Sequence, residues 1–421
     1  MKRNLGKALV VSALIFLLGG MVFAGGTQES GKEEGVKQLV YINDNPPFER
    51  QNAEMGKWIE ERIGIGFVPE SYPDLTNYQT NLRQSILSKK TAPDFFKWWS
   101  NYRLKPLVDE SLLVDVSDIW QKYFNAGIWP ESAAAEVTFN GRQYAVPYHY
   151  SHWGIIYNKG VFEELNLDIP KTWNEFMDVC EKIKASGRTP IAMTLAGRWQ
   201  ALIWWTEVLI KTDPDLYLGI VEGSIEFADP RIIKALQPWL EVIKHFPEDS
   251  TLPWQEVYPK VYSGEFAMDL LGDWFFTSLE QLGADMEKDI GWFPVPPITA
   301  KGNGFVFEIS PIAIPVNSPN VEAAKKVLDE WMSLEGQKKW VEIFSESSPA
   351  GGGLVPKKGV YKSIEEAGLF SDRVRYMPRW WEAVPVELVE YSIDKFAEVI
   401  LDTSKLERAM KDIDNFRKTM K

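Results

Sequence analysis

From residue 38 onward the chain alternates short apolar runs with stretches of helical spacing. "QLVYIND" reads as a short buried strand, followed by a proline turn and a helix-like "FERQNAEMGKWIEERIG". "IGFVPE" is a second strand. "DLTNYQTNLRQSILSKK" then repeats apolar positions at helical intervals through Leu75, Tyr78, Leu82 and Ile86, and runs into the strand "PDFFKWW". This order predicts parallel α/β architecture. "LKPLVDESLLVDVSDIW" is a helix and a return, and "YAVPYHYSHWGIIYNK" reads as strand, aromatic crossing, strand. From "KTWNEF" to about residue 245 the spacing is mostly helical, broken by the apolar strand "TPIAMTL". "IGWFPVPPI" is a strand interrupted by prolines, which suits a connection between lobes better than a central strand. "GFVFEISPIAIPVN" resumes strand character. "SPNVEAAKKVLDEWMSLEGQKKWVEIF" is a helix pair with Ser318 and Asn320 as start signals, and the glycine-rich "SPAGGGLVP" follows. The chain shows no internal repeat.

Residues 1–24 place Lys2, Arg3 and Lys7 ahead of an apolar run that closes on small residues at Ala24, the layout of a secretory signal peptide. The run is short for a membrane span and carries two glycines near its end. Residues 25–35 form a polar spacer. No cysteine lies near the cleavage point, so the lipid-anchor route is closed and a periplasmic location is expected. The single cysteine, Cys180, shares a helical face with Trp173, Phe176 and Ile183 behind a Thr172/Glu175 capping box, which predicts a core filler.

Composition narrows the partners. The chain holds 46 basic and 59 acidic side chains. Loss of the three basic residues of the signal segment leaves a net charge of about −16, which argues against nucleic acid or anionic lipid as the main partner. The 18 tryptophans raise the expectation of aromatic binding surfaces.

Five stretches, "YQTNLRQSILSKKTAPDFF", "YAVPYHYSHWGIIYNKGVFEEL", "IPKTWNEFMDVCEKIKASGRTPIAM", "YSGEFAMDLLGDW" and "SPNVEAAKKVLDEWMSLEGQKKW", together resemble one family in its order. It is the extracellular solute-binding proteins of ATP-driven (ABC) importers, family 1, in the branch that takes sugars and oligosaccharides. The resemblance implies a two-lobed, type II binding-protein fold, each lobe a mainly parallel sheet flanked by helices. Lobe one would hold residues 36–148 plus 294–346 and lobe two residues 152–292 plus 347–421, with hinge crossings near 148–152, 292–296 and 345–353. It further implies a monomer with no cofactor and no catalysis, delivering its solute to membrane permease subunits.

A sugar site needs carboxylate, amide or guanidinium groups beside aromatic plates, placed beyond the ends of parallel strands. The first strand ends in Asn43, Asp44 and Asn45, which suit both turn formation and ligand contact. The family pattern puts Trp98 and Asn101 at positions that commonly touch sugar, beside Trp99. One of the adjacent tryptophans is expected in the core and the other in the cleft. The same pattern places an aromatic contact at Arg198 and Trp199, with Trp204 and Trp205 read as core. In "GDWFF", Asp273 can accept two hydroxyls and Trp274 can stack; the alternative is a tight-turn Asp beside a core Trp. Trp380 and Trp381 follow the third crossing.

His149 and His152 lie three apart on a strand and so face opposite sides, which argues against a shared metal ion; two ligands are also an incomplete set. Nothing near them supplies a nucleophile. At a crossing they read as hydrogen-bonding groups, not both facing the solute, with Tyr150 pointing to the opposite side from its immediate neighbours. Two alternatives stay open: a non-sugar solute such as a polyol phosphate, an opine or a polyamine, and a secreted glycoside hydrolase, which would also use tryptophans and paired carboxylates.

Overall fold

The structure, a computed structural model, describes residues 38–344, 346, 348, 350, 354, 359–366 and 375–420. The expected signal segment 1–24, the spacer 25–35 and most of the expected third crossing at 345–353 lie outside the described residues.

Eleven strands order the described chain: β1 (Gln38–Asn43), β2 (Gly66–Ser71), β3 (Phe95–Lys97), β4 (Thr138–Phe139), β5 (Arg142–Gln143), β6 (Val146–Asn158), β7 (Thr189–Ile191), β8 (Phe266–Gly272), β9 (Ile290–Phe293), β10 (Gly304–Ala313) and β11 (Arg375–Pro378). In the first sheet the order runs β2, β1, β3, β10, β6, and β11 pairs with β10. β1 is parallel to both β2 and β3, whereas β10 is antiparallel to β3 and β6. In the second, β6 is antiparallel to β8 and β9, and β7 is parallel to β8. β4 and β5 make a separate hairpin across Asn140 and Gly141, both at positive φ, as a two-residue Asn-Gly turn requires. Both large sheets are therefore mixed: three of the five pairings in the first are parallel, and one of the three in the second. The antiparallel members, β6 and β10, are strands that join elements far apart in sequence, and simple strand–helix alternation does not reveal them.

β6 is the pivot of this arrangement. All 13 of its residues are buried. Val146 to His152 pair with β10, while Trp153 to Asn158 pair with β8 and β9. At about 3.3 Å per residue the strand is long enough to serve both sheets. After β9 the prolines of "FPVPP" carry the chain back from the second sheet to β10 in the first. Pro69 sits on β2, the edge of its sheet, where a missing N–H costs no ladder bond.

The core follows the apolar spacing. Tyr78, Leu82 and Ile86 are buried, and so are Phe176, Cys180 and Ile183 on the helix Trp173–Ala185. The Thr172/Glu175 capping box forms in both directions. Burial pushes the Cys180 thiol up, as for an inert core residue. Trp204 and Trp205 are likewise buried. Among the described residues no helix is long and apolar enough to cross a membrane.

Candidate functional site

A cavity of about 590 Å³ opens where the two sheets meet along β6 and β10. Strand periodicity decides which side chains reach it. On β6, His149, Ser151 and Trp153 share one face, opposite Ser310 and Glu308 of β10. His149, Trp153 and Glu308 line the cavity. The alternate face carries Tyr148, Tyr150 and His152 into packing: the Tyr150 hydroxyl donates to the Ala133 carbonyl at 2.8 Å, and the His152 ring lies against Phe307.

Glu308 is the polar centre of this wall. Its Oε2 accepts from the indole N–H groups of Trp153 and Trp274, each at 3.1 Å, and lies 3.0 Å from Arg379. Its Oε1 accepts from the Ser310 hydroxyl at 3.3 Å and is 3.9 Å from His149 Nε2. Burial alone would raise this carboxyl, but Arg379, His149 and Lys97 outweigh it and hold the group well below the usual carboxylate range. Arg379 also binds Glu382, whose carboxyl burial pushes up against the pull of Arg379. Burial lowers His149, opposed by Glu308, and its Nδ1 lies 3.3 Å from the carboxyl of Glu346, which burial pushes well up.

A second ion pair faces the cavity from the end of β3. Lys97 Nζ lies 2.8 Å from Asp44, at the end of β1, and 4.8 Å above the Trp99 ring. The two carboxyl-terminal strand ends therefore deliver a joined pair of charges. The aromatic wall comes from both sides. Trp99 and Trp381 meet at 6.0 Å between ring centroids. Trp199, Trp254 and Trp274 meet one another at 5.8 to 6.3 Å, mostly edge to face. Arg198, at φ 62°, turns the chain into the short helix Trp199–Leu202, and its guanidinium is taken up by Glu390 and Asp394 at 2.8 and 2.7 Å.

Of the residues singled out from sequence, Asp44, Asn45, Trp99, His149, Arg198, Trp199, Trp274 and Trp381 line this cavity. The other seven do not. Asn43 is buried at the end of β1, its Oδ1 accepting from the Asn45 N–H and the Ser71 hydroxyl. Trp98 turns inward and donates to the Arg103 carbonyl at 2.9 Å. Asn101 opens the helix Asn101–Asp109 at φ 46°. Tyr150 and His152 occupy the far face of β6. Asp273 is fully buried, its Oδ2 3.6 Å from His152 Nδ1. Trp380 packs on Trp205 and donates to the Ser392 hydroxyl at 2.9 Å.

Lys97, Trp153, Trp254, Tyr258 and Glu308 also line the cavity and were not singled out. Lys97 and Glu308 did carry a signal: each is a lone charge inside an apolar strand, "FFKWW" and "FVFEISPI". Trp254 carried none, because "LPWQE" reads as an ordinary helix start. Among the described residues no set of three His, Cys, Asp or Glu side chains is placed to hold a metal ion.

Residues 62–338 match the family described as bacterial extracellular solute-binding protein. An uncharacterized ABC transporter extracellular-binding protein of Pyrococcus horikoshii is 28% identical over 280 residues, which are 65% of this chain and only 60% of that protein. The diacetylchitobiose binding protein DasA of Streptomyces coelicolor is 24% identical over 349 residues, 78% of this chain and 77% of its own length. Among solved structures, the bacterial solute receptor AcbH, with a stated preference for β-D-galactopyranose, superposes with a TM-score of 0.81 at 18% identity. The alignment covers 92% of this chain and all of that one. A chitin oligosaccharide binding protein gives 0.77 at 21% identity, over 91% and 98% of the two chains. At such identities the likeness is one of fold.

Proposed function

The chain belongs to the bacterial extracellular solute-binding proteins, and from that premise we propose that it captures a sugar or oligosaccharide in the cavity at β6 and β10 and delivers it to the permease subunits of an ABC importer. The observation that carries the sugar assignment is the wall itself. Trp99, Trp153, Trp199, Trp254, Trp274 and Trp381 surround one cavity together with two buried ion pairs, Lys97–Asp44 and Arg379–Glu308. Indole faces suit the C–H face of a pyranose, and charged pairs suit its hydroxyls, since each partner keeps hydrogen-bonding capacity to spare. The diacetylchitobiose bound by DasA and the β-D-galactopyranose preferred by AcbH support the same class.

In this reading lobe one is residues 36–148 plus 294–346 and lobe two is 152–292 plus 347–421. Two features support the division: β6 changes sheets between His152 and Trp153, and the chain returns to the first sheet after Phe293. The solute meets one lobe first and gains contacts with the other as they close, so closure is driven by the difference in affinity between the two states. Residues 1–24 act as the export signal, the protein works as a periplasmic monomer, and it does no chemistry on its solute.

Calorimetric titration against mono- and oligosaccharides tests the assignment. Heat and thermal stabilisation with at least one sugar are expected; neither with any of them would overturn it. Recovery of the bound oligosaccharide intact after long incubation tests the absence of hydrolysis.

A further inference from the structure

Every cation on the cavity wall already has a carboxylate. Lys97 is held by Asp44 at 2.8 Å, Arg379 by Glu308 at 3.0 Å, and Arg198 by Glu390 and Asp394 at 2.8 and 2.7 Å. The converse also holds: Asp44 and Glu308 are spent on those cations. The remaining acid of the wall, Asp74, is exposed and caps the helix Leu75–Ser85 by accepting from the Asn77 N–H at 2.7 Å. An anionic solute would have to part a buried pair and sit beside the carboxylate it displaced. A cationic solute meets the mirror-image obstacle, because Asp44 and Glu308 already hold Lys97 and Arg379.

The aromatic plates come in two sets on the same wall, Trp99 with Trp381 and Trp199 with Trp254 and Trp274. At organic packing density a hexose unit fills on the order of 200 Å³. The cavity, at about 590 Å³, has room for about two to three such units.

We infer that the solute is an uncharged oligosaccharide of about two to three rings, stacked on both sets of tryptophans, and that the Lys97–Asp44 and Arg379–Glu308 pairs reject charged analogues. This rests on the sugar reading above and narrows it. Each ion pair serves the solute as a neutral, two-ended hydrogen-bonding group: Lys97 retains donors beyond the one given to Asp44, and Asp44 retains an acceptor oxygen.

The test is a titration series on the mature protein. The probes are neutral pyranose saccharides of one, two and three rings in both α and β linkages, the matching uronic-acid oligosaccharides, sn-glycerol 3-phosphate and putrescine. A neutral di- or trisaccharide is expected to bind about tenfold or more tighter than its single ring and than its acidic counterpart. In Asp44→Asn, which leaves Lys97 unopposed, the ratio of neutral to acidic affinity is expected to shrink by about fivefold or more. A single ring or an acidic oligosaccharide binding as tightly as the neutral one would overturn this inference and leave the sugar reading in place. Tightest binding of glycerol phosphate or putrescine, or no binding at all, would overturn the sugar reading and this inference with it.

Discussion

The Glu308 carboxylate shows how one residue can organise a binding wall without needing to touch the solute. It fixes the indole N–H groups of Trp153 and Trp274, so both rings present their faces in a set direction. Trp274→Ala should therefore weaken solute binding by about 1 to 3 kcal/mol through lost stacking area, measured by titration. Unchanged affinity in the folded variant would remove Trp274 from the site. Asp269, on β8, is a contrasting buried acid. Burial pushes its carboxyl well above the ordinary range, and only the Leu270 N–H opposes this. Because its folded value lies above its unfolded one, the stability it contributes is complete below the ordinary carboxylate range and declines as pH rises through the raised value. Asp269→Asn lacks that decline. Its melting temperature relative to wild type should rise between pH 4 and pH 8, and a flat difference across that span would contradict the raised carboxyl.

At the scale of elements, close approaches fix where the aromatic plates stand. Gly272 ends β8 opposite Trp153, and a Cβ there would lie 2.5 Å from the Trp274 indole nitrogen and 3.1 Å from Ser151 Cβ. Gly272→Ala must swing that indole away from Glu308. We expect an affinity loss of about tenfold with only a small drop in melting temperature, since the displaced group is a side chain at a cavity edge. Titration alongside a thermal melt would separate the two effects, and an unaltered affinity would mean that the ring relocates without leaving its bond. The same strand geometry explains the roles of the histidines: β6 turns His149 toward the cavity and His152 toward Asp273, as alternation along a strand requires.

At the scale of the whole molecule, the Glu308 bonds to Trp153, Trp274 and Arg379 span the proposed lobes at the cavity, and further contacts join the lobes beside it. Gln255 donates to the Pro73 carbonyl at 3.0 Å, Gln281 donates to Gln51 at 3.3 Å, and Arg103 stacks on Trp381 at 3.6 Å while reaching Glu390 at 2.8 Å. Gln51 does not line the cavity, so its substitution reports on closure. Gln51→Met should cost about 0.5 to 1.5 kcal/mol of the closed form, seen as two- to tenfold weaker binding through faster release in stopped-flow measurements. A release rate equal to wild type would show that this bond does not hold the lobes together. Most of the layout was legible along the chain. Apolar spacing located β1, β2, β3, β6, β7, β9 and β10 and the buried helix faces, but not β4, β5, β8 or β11; the capping box placed its helix, prolines marked the return after β9, and five ordered stretches pointed to the family. These are local signals, set by periods of 2 and 3.6 residues and by turn chemistry. The site was legible only in part. Whether Trp98 or Trp99 faces the cavity, and whether Asp273 or Glu308 holds the Trp274 indole, depends on the register of β6 against β10 and β8 and on which charges those pairings bring within 3 to 4 Å. Residues 150 positions apart in sequence become neighbours through that register, and pairing at such separation leaves no periodic trace in the chain. The amino-acid order thus determined the elements and the family, and the tertiary structure alone decided which side chains share the cavity and which charges are already spent.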